Sequence, residues 1–345
     1  MLNIYSRRNF LGRLIALPAG LWLTNYFTVS ASMRNQIKIT AIKAMQLDFQ
    51  FDGSLIKVET DAGITGYGEA GVNGKIARDI IDHLDWALQR PRGGAERLVG
   101  GDPLSIERHF YRMIQMYYPL PAPVGTISGI DIALWDLARK ILDQPVYKLL
   151  GGPFRDGCPL YSHGSALANM HDPAACKKWA ELIKQQPEGF TSFKIGTGFP
   201  ANVTINPDQS KSYNTGGTEV IGPFYPTETQ EELKLLRQGF INIREAVGDD
   251  VEIGLHCHGE FNTPSAIAMA NAVQPLNVVF IEDPLNPLYN NGWLALKRGT
   301  KVPVMTGEKL ETIYQFKQFL DVQAVDFIHP GYFICQRIYR MYKDS

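Results

Sequence analysis

The sequence predicts an α/β protein: an incomplete (β/α) TIM-type barrel with about six strands present, preceded by an N-terminal α+β domain. Two observations point there. After Gly152, short apolar runs alternate with helical stretches at the spacing of a parallel sheet. Polar residues (Lys194, His256, His258, Glu282 and Glu308) then stand at the C-terminal ends of those runs. A doubly wound sheet would satisfy the alternation equally well, but that placement favours the barrel, which gathers its site from several strand ends at one rim.

Taken in chain order, residues 1–35 come first. Ser6-Arg7-Arg8-Asn9-Phe10-Leu11 precedes a mildly apolar stretch from Leu14 to Val29 and then Ser30-Ala31-Ser32. This is similar to a twin-arginine export signal with a cleavage site near Ala31, which implies a periplasmic or exported protein. The alternative is a membrane tether left by an uncleaved signal. Pro18, Gly20, Thr24 and Asn25 make the run weak for a stable span of about 20 residues.

Residues 36–150 form the first domain. Ile37–Ile42 and Ser54–Thr60 alternate in the manner of antiparallel strands, and Asp61-Ala62-Gly63 turns the chain into Ile64–Glu69. Helical periodicity follows from Ile76 to Leu88 and from Ser105 to about Tyr117. Ile130, Ala133, Leu134, Leu137 and Ala138 recur at helical spacing, with Ser128 read as the N-cap and Pro145 as the stop.

Residues 151–330 carry the barrel strands, read at Pro159–Ser162, Ser192–Ile195, Val251–Leu255, Val278–Ile281, Val302–Met305 and Ala324–Ile328. One segment breaks the rhythm: residues 196–227 are rich in Asn, Thr, Gly and Pro, the composition of a functional loop or lid. Residues 331–345 read as an aberrant tail.

Composition narrows the function classes. Hydrophobic residues make up 45% of the chain and the formal net charge is -1, so a sizeable core is affordable and no global field attracts nucleic acid or an anionic membrane. Cys158, Cys176, Cys257 and Cys335 show no CxxC spacing and read as buried thiols rather than a disulfide scaffold.

Ile127-Ser128-Gly129-Ile130-Asp131-Ile132-Ala133-Leu134-Trp135-Asp136-Leu137-Ala138, closing with Pro145–Gly152, resembles the segment joining the capping domain to the barrel in the mandelate racemase and muconate lactonising enzymes of the enolase superfamily. Phe193–Gly196, Phe280–Pro284 and Thr306–Lys309 resemble the ends of that family's second, fourth and fifth barrel strands. The resemblance implies chemistry that removes a proton next to a carboxylate, with a divalent cation stabilising the enolate. Glu282 and Glu308 match two metal ligands, and Lys194 matches the strand-two base, whose pKa would have to fall for it to accept a proton near neutrality.

Two departures stand out. The family's strand-three ligand is usually an aspartate; here that place holds His256, which could still ligate and would shift preference from Mg²⁺ toward Mn²⁺, Fe²⁺ or Zn²⁺. His258, two residues on, matches the general acid of the acid-sugar dehydratases, a role suited to an imidazole. The second departure follows Val325–Pro330, where Gly331 occupies the place of an aspartate and Tyr332 to Ser345 match nothing in the family. A truncated or frameshifted chain is the expectation, with poor solubility or dependence on a partner as its consequence.

The resemblance implies a carbon–oxygen lyase that eliminates a β-hydroxyl from a small sugar acid, in carbohydrate acid catabolism. The alternatives are a racemase or epimerase on the same scaffold, or an inactive truncated relative. A homo-oligomer is expected because family members are commonly multimers.

Overall fold

The structure is a computed structural model that describes residues 37–47, 53–88, 98–115, 122–163, 167–197, 229–259 and 261–331. The export-signal reading, nearly all of the 196–227 segment, Cys335 and the tail from 332 onward lie outside the described residues. No helix among the described residues is long and apolar enough to cross a membrane. The chain divides into two compact units, 1–154 and 155–345.

The N-terminal unit begins with an antiparallel meander in the order β1 (Ile39–Gln46), β2 (Ser54–Thr60), β3 (Thr65–Ala70). β2 buries Ser54, Ile56, Val58 and Thr60 on one face, the period-2 pattern of a half-buried strand. Gly63 takes φ 73° in the turn after β2, a left-handed conformation that a Cβ would disfavour. Helices α1 (Gly74–Leu88), α2 (Ile106–Gln115), α3 (Val124–Leu142) and α4 (Val146–Leu149) follow.

α3 begins at Val124 after Pro123, so Ser128 lies inside the helix, buried, and is not its N-cap. The apolar period extends one turn further back than Ile130 suggested, through Val124 and Ile127, and tertiary burial outweighs the local preference of serine for a cap. The helix ends at Leu142 on a left-handed Asp143 (φ 51°), and Pro145 caps α4 instead of stopping α3. α3 lies so close to β3 that a Cβ at Gly68 would collide with the Gly129 carbonyl and the Ala133 amide, which is why this strand carries glycine there.

On α2, His109 is 1% exposed, with Nε2 donating to the Asp102 carbonyl at 2.7 Å and Nδ1 without a partner among the described residues. Burial pushes its pKa down, only partly opposed by the Asp102 carbonyl, so the folded chain holds a neutral imidazole. The unfolded chain protonates this residue below about pH 6.5. Folded stability contributed by His109 is therefore intact above that value and is lost as the pH falls toward the depressed folded pKa. Urea unfolding of wild type and His109→Gln at pH 7 and pH 5 is expected to show a smaller pH dependence in the variant, the difference reaching at most about 1.4 kcal/mol per pH unit. Equal slopes would contradict the assignment.

In the second unit, strands and helices alternate: β4 (Ser162–His163), α5 (Pro173–Gln185), β5 (Ser192–Gly196), α6 (Gln230–Val247), β6 (Glu252–His256), α7 (Thr263–Val273), β7 (Val278–Glu282), α8 (Asn291–Gly299), β8 (Val304–Thr306), α9 (Ile313–Leu320) and β9 (Phe327–Ile328). All five strand pairs are parallel and the spatial order is sequential, β4-β5-β6-β7-β8-β9. A doubly wound sheet would reverse order at a switch point; this one never does, and it is an incomplete barrel. The first strand is shorter than its apolar run suggested, because Pro159 and Leu160 stay outside the ladder.

The helix starts are locally encoded. Asp172 accepts from the Ala174 amide ahead of α5, Thr229 and Glu232 form a capping box ahead of α6, and Asn262 and Asn290 cap α7 and α8. Trp179, Phe240, Leu255, Ile281, Trp293, Phe316 and Phe319 are buried between sheet and helices. Cys176 and Cys257 are buried as expected, whereas Cys158, in irregular chain ahead of β4, is exposed.

At the N-terminal rim, Arg244 of α6 donates to four backbone carbonyls: Gly248 (2.8 Å), Val251 (2.7 Å), Leu276 (3.2 Å) and Asn277 (3.3 Å). One planar guanidinium thereby ties the chain entering β6 to the chain entering β7.

Candidate active site at the C-terminal rim of the sheet

The opposite rim collects the polar side chains. His256 and Glu282 are the last residues of β6 and β7 and stand level in register. Adjacent parallel strands lie about 4.8 Å apart, so level residues of like orientation touch. His256 Nδ1 is 2.7 Å from Glu282 Oε2. Lys194, in the middle of β5, reaches the same carboxylate with Nζ at 2.8 Å from Oε2 and 3.1 Å from Oε1.

His329, just past β9, completes the ring with Nδ1 at 2.7 Å from Glu282 Oε1, and its other face meets Tyr161 OH, 3.2 Å from Nε2. Tyr161 leads into β4, so this contact links the chain at the first strand to the chain at the sixth.

Glu282 is 0% exposed. Burial alone would raise its pKa, yet the hydrogen bonds from His256 and His329 and the charge of Lys194 outweigh it and hold the carboxyl well below the usual range. The group is a buried carboxylate fully compensated by donors. Tyr161 moves the opposite way: burial first, then the charges of Glu282, Glu308 and Asp283, push its pKa far up, so it remains a neutral phenol.

The rings of His256 and His258 stand 4.2 Å apart, inclined at 71°, and His163 at the end of β4 presents its ring edge-to-face to His256 at 5.2 Å. Partial burial and the neighbouring charges of His256 and Lys194 lower the His163 pKa. This gathers four imidazoles and one ammonium at the rim, of which His256, His329 and Lys194 touch the carboxylate.

Glu308 lies two residues beyond β8 and does not join the ring. Its Oε1 takes the Lys309 ammonium at 2.7 Å; burial pushes its pKa up, but that bond together with the charges of Lys309 and Lys194 outweighs it and lowers the pKa. It remains within electrostatic range of Glu282, whose charge opposes its ionisation. The expected convergence of Glu282, Glu308 and His256 on one point is thus only partly present: among the described residues no group of three His, Cys, Asp or Glu is arranged to hold a metal. The reason is local, since Lys194 and His329 occupy both oxygens of Glu282 while Lys309 holds Glu308.

The divalent ion implied by the resemblance nonetheless fits the donors by type and by strand order. An ionised buried carboxylate, a level imidazole and a second carboxylate lie at the ends of three consecutive strands, and the ammonium and ring N–H donors gathered on Glu282 mark a place where its negative charge is compensated.

His329, Tyr161 and His163 were not singled out as site residues in the sequence. His329 could have been, by the rule that picked out His256 and Glu282, because it too follows directly on a strand's apolar run. Tyr161 precedes, and His163 ends, a two-residue strand too short to show a period.

Comparison with known proteins covers both units of the chain. The enolase C-terminal domain-like family matches residues 178–341, and the mandelate racemase/muconate lactonizing enzyme N-terminal domain matches residues 30–151. D-gluconate dehydratase of Thermoproteus tenax is 27% identical over 334 residues, covering 95% of this chain and 60% of the relative. D-xylonate dehydratase of Haloferax volcanii is 28% identical over 299 residues, covering 85% and 65%. D-galactonate dehydratase of Ralstonia pickettii is 29% identical over 298 residues, covering 85% and 67%. The chain therefore spans about three fifths to two thirds of the length of these relatives.

Among solved structures, an enolase from Agrobacterium radiobacter, a candidate galactarate dehydratase bound to Na and L-malate, is 29% identical with a TM-score of 0.71, covering 89% of this chain and 70% of that one. A candidate dehydratase from Mesorhizobium loti is 25% identical with the same TM-score, covering 89% and 75%. With both family domains matched in chain order, this protein belongs to the mandelate racemase/muconate lactonizing enzyme family of the enolase superfamily.

Proposed function

We propose that this chain carries the chemistry of a sugar-acid dehydratase, removing the proton α to a carboxylate and eliminating the β-hydroxyl. The observation that carries the reading is the pairing of opposite roles around Glu282: an ammonium in direct contact with it, and His258 packed edge-to-face, 4.2 Å between ring centres, on the imidazole that touches it. The named functions of relatives at 27–29% identity support the same class.

Glu282, Glu308 and His256 would hold the divalent ion, Mg²⁺ by family and Mn²⁺, Fe²⁺ or Zn²⁺ by the softness of His256. When bound, the ion supplies charge stabilisation to the carboxylate oxygens as the enolate forms. Lys194, once it has given up its own proton, takes the α-proton on Nζ; Glu282 holds that nitrogen at the rim in the resting structure. The electron pair left on the α-carbon forms the C=C bond as the β-hydroxyl departs. His258 gives that oxygen its proton, so that water leaves and an enol remains to become the 2-keto acid.

His163 and His256 crowd the other side of the rim, and the neutral Tyr161 phenol offers a hydrogen bond without adding charge.

Calorimetric titration with Mg²⁺ and Mn²⁺, followed by a 2-keto-acid assay on D-gluconate, D-xylonate and D-galactonate, tests the proposal. The expected result is ion binding, with Mn²⁺ tighter than Mg²⁺, and 2-keto-acid formation from at least one of the three acids. Absence of ion binding would overturn it. Exchange of the α-proton with solvent deuterium and no loss of water from any acid would point to a racemase instead.

A further inference from the structure

Asp283 follows Glu282 and has a part in neither proton transfer above, yet its surroundings are specific. It is 1% exposed and adopts φ 43°, a left-handed conformation that a β-carbon makes costly. Its backbone joins three strand ends: the amide donates to the Met305 carbonyl at 3.0 Å, and the carbonyl accepts from Gly259 at 2.7 Å.

The carboxylate reaches to both sides of Glu308. Oδ1 accepts from Thr306 Oγ1 at 2.5 Å, two residues before Glu308. Oδ2 has no hydrogen-bond partner among the described residues and faces the Lys309 ammonium at 3.7 Å, one residue after Glu308. That ammonium is the one bonded to Glu308 Oε1 at 2.7 Å. Lys309 therefore stands between two carboxylates, one fixed and buried, the other on a rim loop behind the left-handed Gly307 (φ 141°).

We infer that Asp283 is a positioning residue for Glu308: by sharing the Lys309 ammonium, it weakens that lysine's hold and leaves the Glu308 carboxylate able to turn onto a divalent ion. The inference rests on the proposed metal chemistry. Charge sharing explains why a carboxylate is buried here with one oxygen unsatisfied, an arrangement that otherwise only costs stability. Asp283→Asn keeps the size of the side chain and the acceptor for Thr306 but removes the charge, so the balance of Lys309 shifts toward Glu308, where it competes with the ion.

The test is Mn²⁺ affinity of the full chain, by calorimetry, in wild type, Asp283→Asn, Lys309→Met and the double variant. Asp283→Asn is expected to weaken Mn²⁺ binding by about tenfold, as loss of partners around metal ligands does elsewhere. In the Lys309→Met background the same change is expected to cost less than about twofold, because the competing ammonium is gone. Thr306→Val should weaken binding in the same direction, and Thr306→Ser should restore it.

An equal loss from Asp283→Asn with and without Lys309 would mean a purely structural role and overturn the inference, as would no loss at all. Wild type that binds no Mn²⁺ would overturn the proposed function, and this inference with it. Binding with an additive cycle would overturn the inference alone.

Discussion

Glu282→Gln is expected to abolish measurable divalent-ion binding and to lower dehydration by about a thousandfold or more, roughly 4 kcal/mol of transition-state stabilisation. The substitution conserves volume and still offers one oxygen to Lys194. What it removes is the charge around which Lys194, His256 and His329 are arranged. Lys194, buried beside it, then faces an amide instead of a carboxylate, and breaking a buried ion pair costs about 3–5 kcal/mol. A lowered urea midpoint should accompany the lost ion binding. Lys194→Met should recover part of that stability without recovering activity, because it removes the stranded charge. Unchanged Mn²⁺ affinity in Glu282→Gln would sink both the ligand assignment and the chemistry built on it.

His258→Asn is expected to separate the two halves of the reaction. Proton abstraction depends on Lys194 and the ion, so wash-in of solvent deuterium at the α-carbon should survive. Departure of the β-hydroxyl depends on a proton from His258, so water loss should fall by about 10²–10⁴, the usual contribution of one general acid. Asparagine keeps a polar side chain near the His256 ring, 4.2 Å away in wild type, and so disturbs the ligand little. If exchange and elimination fall together, His258 serves the binding of substrate or ion and not the second step.

The strand-helix alternation and the rim placement of Lys194, His256 and Glu282 were legible because strand ends follow from apolar runs, and a barrel makes strand ends into a site. Glu308 was legible as a rim carboxylate, but its engagement with Lys309 was not, since adjacent residues beyond a strand have no fixed mutual orientation. Ser128 shows the limit of reading caps locally: Val124 and Ile127 are buried one turn earlier, and their burial sets where α3 begins. His329 and Tyr161 meet only because the sheet curves enough to bring residues 168 apart into contact, a closure that no local pattern encodes. The unsatisfied Asp283 oxygen is likewise a property of three strand ends and one lysine together.

Arg244 binds four carbonyls at the rim opposite the chemistry, and so anchors two neighbouring strands without using any residue that a substrate could touch. The alignment of β6 and β7 therefore does not rest on the side chains that would carry the chemistry. Replacing His256 by aspartate would alter the ion that is held, and other residues at 163 and 329 the acid that is accepted, while the far rim continues to hold these two strands in line. Such exchanges cost stability at the rim itself, as at Glu282, and still leave the two strands in register.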